Sequence, residues 1–153
     1  MRVLLAIDGS QCSDAAVETL IRQYKPSDTE VLVLHAVESL GLIPISYPYG
    51  AGPVFVQDYT AIAQQWRRDG EELVSRTASR LQAAGFKTST QVEESDARKL
   101  ILDCAKKWQP DLILLGSHGK RGLDRFLLGS VSEAVARHAG CSVEIVRAAA
   151  SAA

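Results

Sequence analysis

Short runs of consecutive apolar residues alternate along this chain with longer stretches in which apolar residues recur every three or four positions. The runs Val3 to Ile7, Val31 to Val37 and Leu112 to Leu115 lack the polar alternation of a strand with one wet face. Such runs are typical of parallel strands that are covered on both faces. A fourth run, Cys141 to Arg147, predicts the last strand of the chain.

The stretches between these runs have the period of helices. The first follows the opening strand, and the second extends from about Asp58 to Ala84 with Gly70 inside it, where a bend is expected. Ser95 or Asp96 can cap a third helix, and a fourth opens at Gly129. The predicted inward-facing residues are, in chain order, Ala16, Val17, Leu20, Ile21, Tyr24, Ile62, Trp66, Leu73, Thr77, Leu81, Leu100, Ile101, Cys104, Ala105, Trp108, Val131, Ala134, Val135 and His138.

The segment from Phe86 to Val92 differs from the other strands because polar residues alternate with apolar residues or threonine. This period predicts a strand with one wet face, which suits the edge of a sheet. Mostly buried strands that alternate with helices predict a doubly wound α/β sheet with right-handed crossovers and helices on both faces. In such sheets, ligands bind outside the carboxyl ends of the strands, where the strand order reverses.

A chain of 153 residues has the size of one domain, and we assign residues 1–147 to it. Residues 148–153 are expected to form a frayed tail. The segment Ser39 to Gln57 is rich in proline and glycine. Its length leaves two interpretations open, a lid or binding arm and a disordered loop.

Composition removes several classes of function. The formal net charge is -1 with 23% charged residues, so no general attraction to nucleic acid or to an anionic membrane is expected. Cys12, Cys104 and Cys141 lack C-x-x-C spacing, which favours reduced cysteines that act as small apolar filler over disulfides or a metal site. No signal peptide is evident and no apolar run approaches about 18 residues. We therefore expect a cytoplasmic protein.

One stretch carries candidate chemistry. Gly116, Gly119, Gly129 and Ser130 have the spacing G-x2-G-x9-G-S directly after the strand Leu112 to Leu115. A strand, a glycine-rich loop and a helix start bring backbone N–H groups and a positive helix terminus to one point, where glycines let an anion approach. Neither the P-loop pattern nor the dinucleotide pattern G-x-G-x-x-G occurs here. The motif favours a phosphate site over the simpler alternative, a helix capped by Ser130.

With this spacing, the chain resembles the ATP-binding branch of the universal stress protein family. The likeness extends from the first strand with Asp8 behind it, through Leu34-His35-Ala36-Val37, to the last strand, and so covers nearly the whole chain. The resemblance implies a Rossmann-like, five-stranded parallel sheet in the order 3-2-1-4-5, bound ATP with Mg²⁺, and a homodimer that pairs through Cys141 to Arg147. That strand order places the site between the first and fourth strands, which Asp8 and Gly116 terminate.

The position of the loop and the resemblance together imply roles for individual residues. Gly119 and the pair Gly129-Ser130 would face the triphosphate, and Gly116 would lie near the ribose. Asp8 would accept hydrogen bonds from a ribose hydroxyl or the adenine amine, although an Asp after a strand also favours a turn. The remaining predicted binding residues are Ala6 in the pocket wall, Ala36 with its backbone at the adenine edge, Lys120 beside the phosphates, Val131 with its backbone N–H, and Ser132 with its hydroxyl.

No catalytic residue and no protein-bound metal are predicted. An imidazole such as that of His118 is a common catalytic base, but no Asp or Glu of the loop is placed to orient it. The leading interpretation is therefore a cytosolic ATP-binding stress-response or signalling module that acts as a homodimer. The alternatives are a slow ATPase or an adenylyl- or phosphoryl-transferring enzyme, and a nucleotide-free dimer module. In the last strand, Ser142 replaces the proline usual in the family and Glu144 replaces a typical apolar residue.

Overall fold

The computed structural model describes residues 1–38, 56–119 and 128–148. The segment Ser39 to Gln57 therefore lies outside the described residues except for the first two residues of the second helix, and so does the tail after Ala148. In chain order, the elements are β1 (Arg2–Ala6), α1 (Gln11–Gln23), a 3-10 helix (Pro26–Asp28), β2 (Glu30–Val37), α2 (Val56–Ala83), β3 (Lys87–Glu94), α3 (Ala97–Trp108), β4 (Leu112–Gly116), α4 (Ser130–His138) and β5 (Ser142–Val146).

All five strands are parallel and lie in the order β3-β2-β1-β4-β5, which confirms the predicted doubly wound sheet. β1 lies at the centre, where Ala6 pairs with Leu34 of β2 on one side and with Leu115 of β4 on the other. The strand order reverses between β1 and β4. The carboxyl ends of these two strands therefore frame the crevice in which a ligand is expected.

Helices cover both faces of the sheet, and each face has its own apolar core. Side chains of α1 and α2 pack on one face around Leu5, Leu20 and Leu81, which are fully buried. α3 and α4 pack on the other face around Ile113 and Val135. Burial on both faces explains the unbroken apolar runs of the central strands. The prediction that His138 faces the core is wrong, because His138 is exposed on the last turn of α4.

Helix α2 departs from its predicted pattern. It continues through Gly70 without a break. Gly70 is buried where the helix crosses β2, and a Cβ there would lie 2.7 Å from Cδ2 of His35. Glycine is therefore required by a close approach and not by a bend. Ile62 and Trp66 are 44% and 39% exposed, so only the part of the apolar stripe after Gly70 packs on the sheet.

The helices begin in two different ways. In α1, Ser10 Oγ accepts a hydrogen bond from a backbone N–H at 3.2 Å, and in α3, Asp96 Oδ1 accepts one from the N–H of Lys99 at 3.1 Å. Asp96 is thus the cap of α3. Hydrogen bonds from Arg98 and from the Lys99 backbone lower the pKa of Asp96 to about 2. α4 follows Gly129, which offers no side-chain acceptor.

Glu144 on the edge strand β5 has a partner at the end of α1. The hydroxyl of Tyr24 donates to Oε2 of Glu144 at 2.6 Å. Burial, together with this hydrogen bond and the negative charge of Glu144, raises the pKa of Tyr24 to about 12. Val143 and Ile145 contact the core under α3 and α4, whereas Val146 contacts the core under α1. Glu144 therefore lies on the α1 face of the sheet. The hydrogen bond from Tyr24 takes the place there of the apolar packing that a hydrophobic side chain would make.

We expect Tyr24→Phe to remove a tyrosine that ionises near pH 12. The raised pKa means that folding favours the neutral phenol. This contribution to stability is therefore complete below the ordinary pKa of about 10 and is lost as the pH rises toward 12. Difference spectra of tyrosinate absorbance between parent and variant measure the step. At neutral pH, the variant should lose about 1 kcal/mol of unfolding free energy, and a difference spectrum that titrates near pH 10 would contradict the contact.

Candidate functional site

The candidate site lies at the carboxyl ends of β1 and β4, where three short segments meet. Asp8 follows β1, residues 117–119 follow β4, and Gly129 precedes α4. These are the segments that the strand order and the glycine spacing predicted. Hydrogen bonds and close contacts connect all three, so the described part of the site is one structural unit.

Asp8 shapes the turn between β1 and α1. Its Oδ1 accepts a hydrogen bond from the N–H of Ser10 at 3.0 Å, and its own N–H donates to Oγ of Ser13 at 3.2 Å. Gly9 between them has a φ of 74°, in the left-handed region that favours glycine. The turn role expected for Asp8 is therefore present, whereas the helix cap is Ser10.

Gly119 packs directly against the second carboxylate oxygen of Asp8. A Cβ at Gly119 would lie 2.8 Å from Asp8 Oδ2, so a larger residue would displace the carboxylate. The contact places a half-buried carboxylate beside the loop position that the resemblance assigned to the triphosphate. A phosphate close to that charge would be repelled. An anion held by this loop must therefore lie toward the start of α4.

The carbonyl oxygen of Ser117 joins the loop to α4. Gly129 donates its N–H to this oxygen at 2.8 Å, and Ser132 donates its hydroxyl to it at 2.9 Å. A Cβ at Gly129 would lie only 3.0 Å from the same oxygen. The N–H of Ser117 in turn donates to the carbonyl of Val146 in β5 at 2.7 Å. The first turn of α4 is thus held in place by the end of β4 and, through it, by β5.

Gly116 at the end of β4 has a packing role. A Cβ there would lie 2.7 Å from the carbonyl carbon of Cys12 and 2.8 Å from the backbone nitrogen of Ser13. Strand β4 and the first turn of α1 are therefore in direct backbone contact. The predicted place of Gly116 near a ribose stays a prediction, and the packing already requires glycine at this position.

The first turn of α4 offers backbone donors and one exposed hydroxyl. Gly129 has no side chain with which to cap the backbone N–H groups in the first turn of α4. Ser130 is exposed, and Val131 is half-buried against the core under α3 and α4. Ser132, predicted to offer its hydroxyl to a phosphate, is buried, and that hydroxyl contacts the carbonyl oxygens of Ser117 and Gly129 at 2.9 Å each. Ser130 is therefore the better candidate for a hydroxyl contact.

The other predicted binding residues divide into two groups. Ala6 belongs to the apolar cluster under α3 and α4, and the half-buried Ala36 of β2 packs against the same cluster. Both small side chains therefore lie on the same face of the sheet, and their predicted contact with a ligand stays a prediction. Lys120 lies outside the described residues, as do Arg121 and Arg125.

Cys12, which the sequence indicated as apolar filler, is a hydrogen-bond acceptor beside the loop. Ser117 donates its hydroxyl to Cys12 Sγ at 3.6 Å. Burial opposes ionisation of the thiol, but the backbone N–H groups of Ala148 and His118 and the Ser117 hydroxyl outweigh it and lower the pKa of Cys12. One signal for this role was available in the sequence. A cysteine two residues after a serine cap lies in the first turn of a helix, where the helix dipole favours a thiolate.

His118 has an orienting partner that no local pattern indicates. Its Nδ1 lies 3.0 Å from Ser117 Oγ, and its carbonyl oxygen accepts a hydrogen bond from Ser10 Oγ at 3.2 Å. Nε2 is buried and has no hydrogen-bond partner among the described residues. Because Ser117 has a single hydroxyl proton, His118 must donate from Nδ1 whenever Ser117 donates to Cys12. Ser10 and Ser117 are thus structural members of the site that the sequence did not indicate.

Two open grooves lie away from this site. One of about 340 Å³ runs between α2 and β3, and one of about 320 Å³ lies between β3 and α3. Neither is lined by the segments that follow β1 and β4. Across residues 1–38, 56–119 and 128–148, no group of three or more His, Cys, Asp or Glu could hold a metal ion. No helix in these ranges is both long and apolar enough to cross a membrane.

Known proteins share both the sequence pattern and the fold. The model of the universal stress protein family matches residues 1–147. A universal stress protein of Methanocaldococcus jannaschii, MJ0531, is 29% identical over 146 residues, which cover 95% of this chain and 81% of that protein.

Two solved structures show how closely the fold agrees. The hypothetical protein MJ0577 superposes with a TM-score of 0.81 at 21% identity, covering 98% of this chain and 97% of that chain. A universal stress protein family protein from Arabidopsis thaliana, solved with AMP bound, superposes with a TM-score of 0.70 at 22% identity, covering 98% and 93%. The likeness to these structures establishes the fold.

At neutral pH, a water-soluble alkylating reagent should modify Cys12 before the other two cysteines. The pKa of Cys12 is lowered by its hydrogen-bond donors, whereas burial raises the pKa of Cys104 and Cys141. Peptide mass spectrometry over a pH series should place the midpoint for Cys12 below the ordinary thiol value of about 8.5. Cys12→Ala should abolish the fast phase and Cys104→Ala should leave it intact. Equal rates at all three thiols would contradict the assignment.

Proposed function

Because the chain belongs to the universal stress protein family, we propose that it is an ATP-binding stress-response or signalling protein of the cytoplasm that acts as a homodimer. The AMP bound in the Arabidopsis thaliana relative supports an adenine nucleotide as the ligand. The nucleotide would occupy the crevice at the ends of β1 and β4, where ligands bind in sheets of this topology.

The start of α4 is the observation that carries this proposal. α1 and α3 satisfy their first N–H groups with the side chains of Ser10 and Asp96. α4 begins after Gly129 and has no such cap. Open backbone donors at the positive end of a helix suit a phosphate, which can accept several hydrogen bonds at once. Gly129 also lets the first turn of α4 lie close to the carbonyl oxygen of Ser117, which fixes where these donors stand.

The charges around the crevice orient the nucleotide. The carboxylate of Asp8 would repel phosphates, but it can accept hydrogen bonds from a ribose hydroxyl or the adenine amine. We therefore assign the phosphates to the first turn of α4 and the nucleoside to the side of β1 and β2. Ala6 and Ala36, which pack on the same face of the sheet, would offer small side chains there. Gly116 would lie near the ribose and Lys120 beside the phosphates.

We propose that Mg²⁺ accompanies ATP and binds to its phosphates. Hydrolysis is expected to be slow. Fast phosphoryl transfer requires a positioned base or nucleophile in addition to charge neutralisation. The ring of His118 is oriented by the Ser117 hydroxyl, a weaker orienting group than a carboxylate, and Asp8 is turned toward Ser10 and Gly119.

The last strand, predicted over Cys141 to Arg147, is the proposed dimer contact. β5 forms one edge of the sheet. The carbonyl of Val146 points to β4, where it accepts from Ser117. Successive residues of a strand direct their backbone groups to opposite sides, so Val143 and Ile145 direct theirs outward. An unpaired row of N–H and C=O groups invites a second copy of the same strand.

Calorimetry of the parent protein tests the ligand assignment. ATP should bind more tightly than AMP, and AMP more tightly than adenosine, because each added phosphate finds donors at the start of α4. Denaturing freshly purified protein and identifying the released small molecule gives an independent readout. An absence of ATP heat, or equal affinity for ATP and adenosine, would overturn the proposal.

Ser130→Asp is the sharpest test of where the phosphates bind. A carboxylate at the first residue of α4 stabilises the helix by about 0.3 to 1 kcal/mol, so the fold is kept. The same charge repels a phosphate, and ATP affinity should fall by at least about tenfold. Adenosine affinity should change little, and Ser130→Asn is the matched neutral control. Unaltered ATP binding by the Asp variant would show that the phosphates lie elsewhere.

Steady-state turnover with excess Mg-ATP should stay well below about one per second, the lower end of the range for kinases. The physical reason is that the crevice neutralises charge without supplying a base held by a carboxylate. His118→Ala should leave ATP affinity within about twofold. Turnover in the kinase range that His118→Ala abolishes while affinity is kept would overturn the binding-protein interpretation and make this chain an enzyme.

Val143→Pro should convert the dimer to a monomer. The substitution removes an outward backbone N–H while the residues that bond to β4 keep theirs. Light scattering at micromolar concentration measures the mass, and Val143→Ala is the control that shortens the side chain but keeps the N–H. A parent protein that is monomeric under these conditions would contradict the proposed interface.

A further inference from the structure

Cys12 lies next to the proposed nucleotide loop, but none of the roles derived so far uses it. It is the second residue of α1 and is half-buried. Its Sγ accepts the hydroxyl hydrogen of Ser117 at 3.6 Å. The first residue of the loop after β4 is therefore held by a side chain of α1.

The backbone around Cys12 packs tightly between α1 and the end of β4. A Cβ on Gly116 would lie 2.8 Å from Cβ of Cys12 and 2.7 Å from its carbonyl carbon. The end of β4 therefore cannot move toward α1. The loop leaves β4 at this point, and its first residue, Ser117, contacts the side chain of Cys12.

The contacts continue from Ser117 to the start of α4. The carbonyl of Ser117 accepts the N–H of Gly129 at 2.8 Å and the hydroxyl of Ser132 at 2.9 Å. A displacement of Ser117 would therefore shift the first turn of α4. That turn is where the phosphates are assigned, and Cys12 is connected to it through a single intermediate residue.

We propose that Cys12 is a positioning residue for the phosphate side of the nucleotide site, acting through Ser117 and without contacting the nucleotide. The inference rests on the proposed function, since it concerns the same site. Loss of the sulfur leaves the Ser117 hydroxyl free to turn to His118. The loop then samples more conformations, and fewer of them present the donors of α4 to a phosphate.

Calorimetry on three variants tests this role. Cys12→Ala removes the acceptor and should weaken ATP binding by about tenfold, the equivalent of one hydrogen bond, while adenosine affinity changes by less than about twofold. Cys12→Ser keeps a polar acceptor of similar size and should restore most of the ATP affinity. Cys104→Ala, the same change in the core under α3, should bind as the parent does.

The selectivity between ligands separates positioning from general destabilisation. Equal ATP affinity in Cys12→Ala and the parent would overturn the inference, as would ATP and adenosine weakened to the same extent. A Cys12→Ser variant that binds ATP no better than Cys12→Ala would overturn it as well. Thermal unfolding identifies any of the three variants that loses the fold. If Cys12→Ala loses the fold, the comparison of Cys12→Ser with the parent provides the test.

Amide hydrogen exchange without nucleotide distinguishes failure of this inference from failure of the proposed function. Peptides that cover residues 116–119 should exchange faster in Cys12→Ala than in the parent, and at the parental rate in Cys104→Ala. Unchanged exchange in Cys12→Ala would overturn the positioning role whatever the protein binds. Faster exchange in a protein that binds no ATP would keep the positioning role and refute the nucleotide assignment.

Discussion

The close approach of β4 to the first turn of α1 is the constraint on which the site depends. At Gly116, the backbone of Cys12 and Ser13 comes within distances that exclude any side chain. The ends of β1 and β4 are consequently close enough for their loops to share hydrogen bonds, as between Ser10 and His118. Interiors are packed too densely for one side of such a contact to shift alone. Packing below the crevice therefore sets the loop conformation above it.

The carbonyl group of Ser117 connects this loop to α4, the helix that faces the crevice. Ser117 is 1% exposed, and its oxygen accepts from Gly129 and Ser132 while its N–H donates to Val146. Each of these groups is satisfied within the protein before any ligand arrives. A ligand that binds to the first turn of α4 does not have to order that turn, so less of its binding free energy is lost.

The fold could be predicted because unbroken apolar runs report burial on both faces of a strand directly. The strand order that the resemblance implied is also present, and in sheets of this order a ligand is expected at the ends of β1 and β4. The roles of the glycines at this crevice could not be predicted. Their spacing suggested that Gly116 and Gly119 make room for a ligand, but each closes a contact with a distant residue, Cys12 and Asp8 respectively. Local patterns do not encode pairs that meet only after the sheet has formed.

In the proposed complex, the placement of charge across the crevice favours occupancy over turnover. Asp8 stands on the β1 side, and the first turn of α4, which Gly129 does not cap, stands on the other. The phosphates of a nucleotide would be attracted to that turn and repelled by Asp8. Groups that bind the ground state as strongly as the transition state give affinity without rate. The carboxylate of Asp8 has one oxygen on Ser10 N–H and the other against Gly119. For this carboxylate to activate a water beside the phosphates, those contacts would have to break.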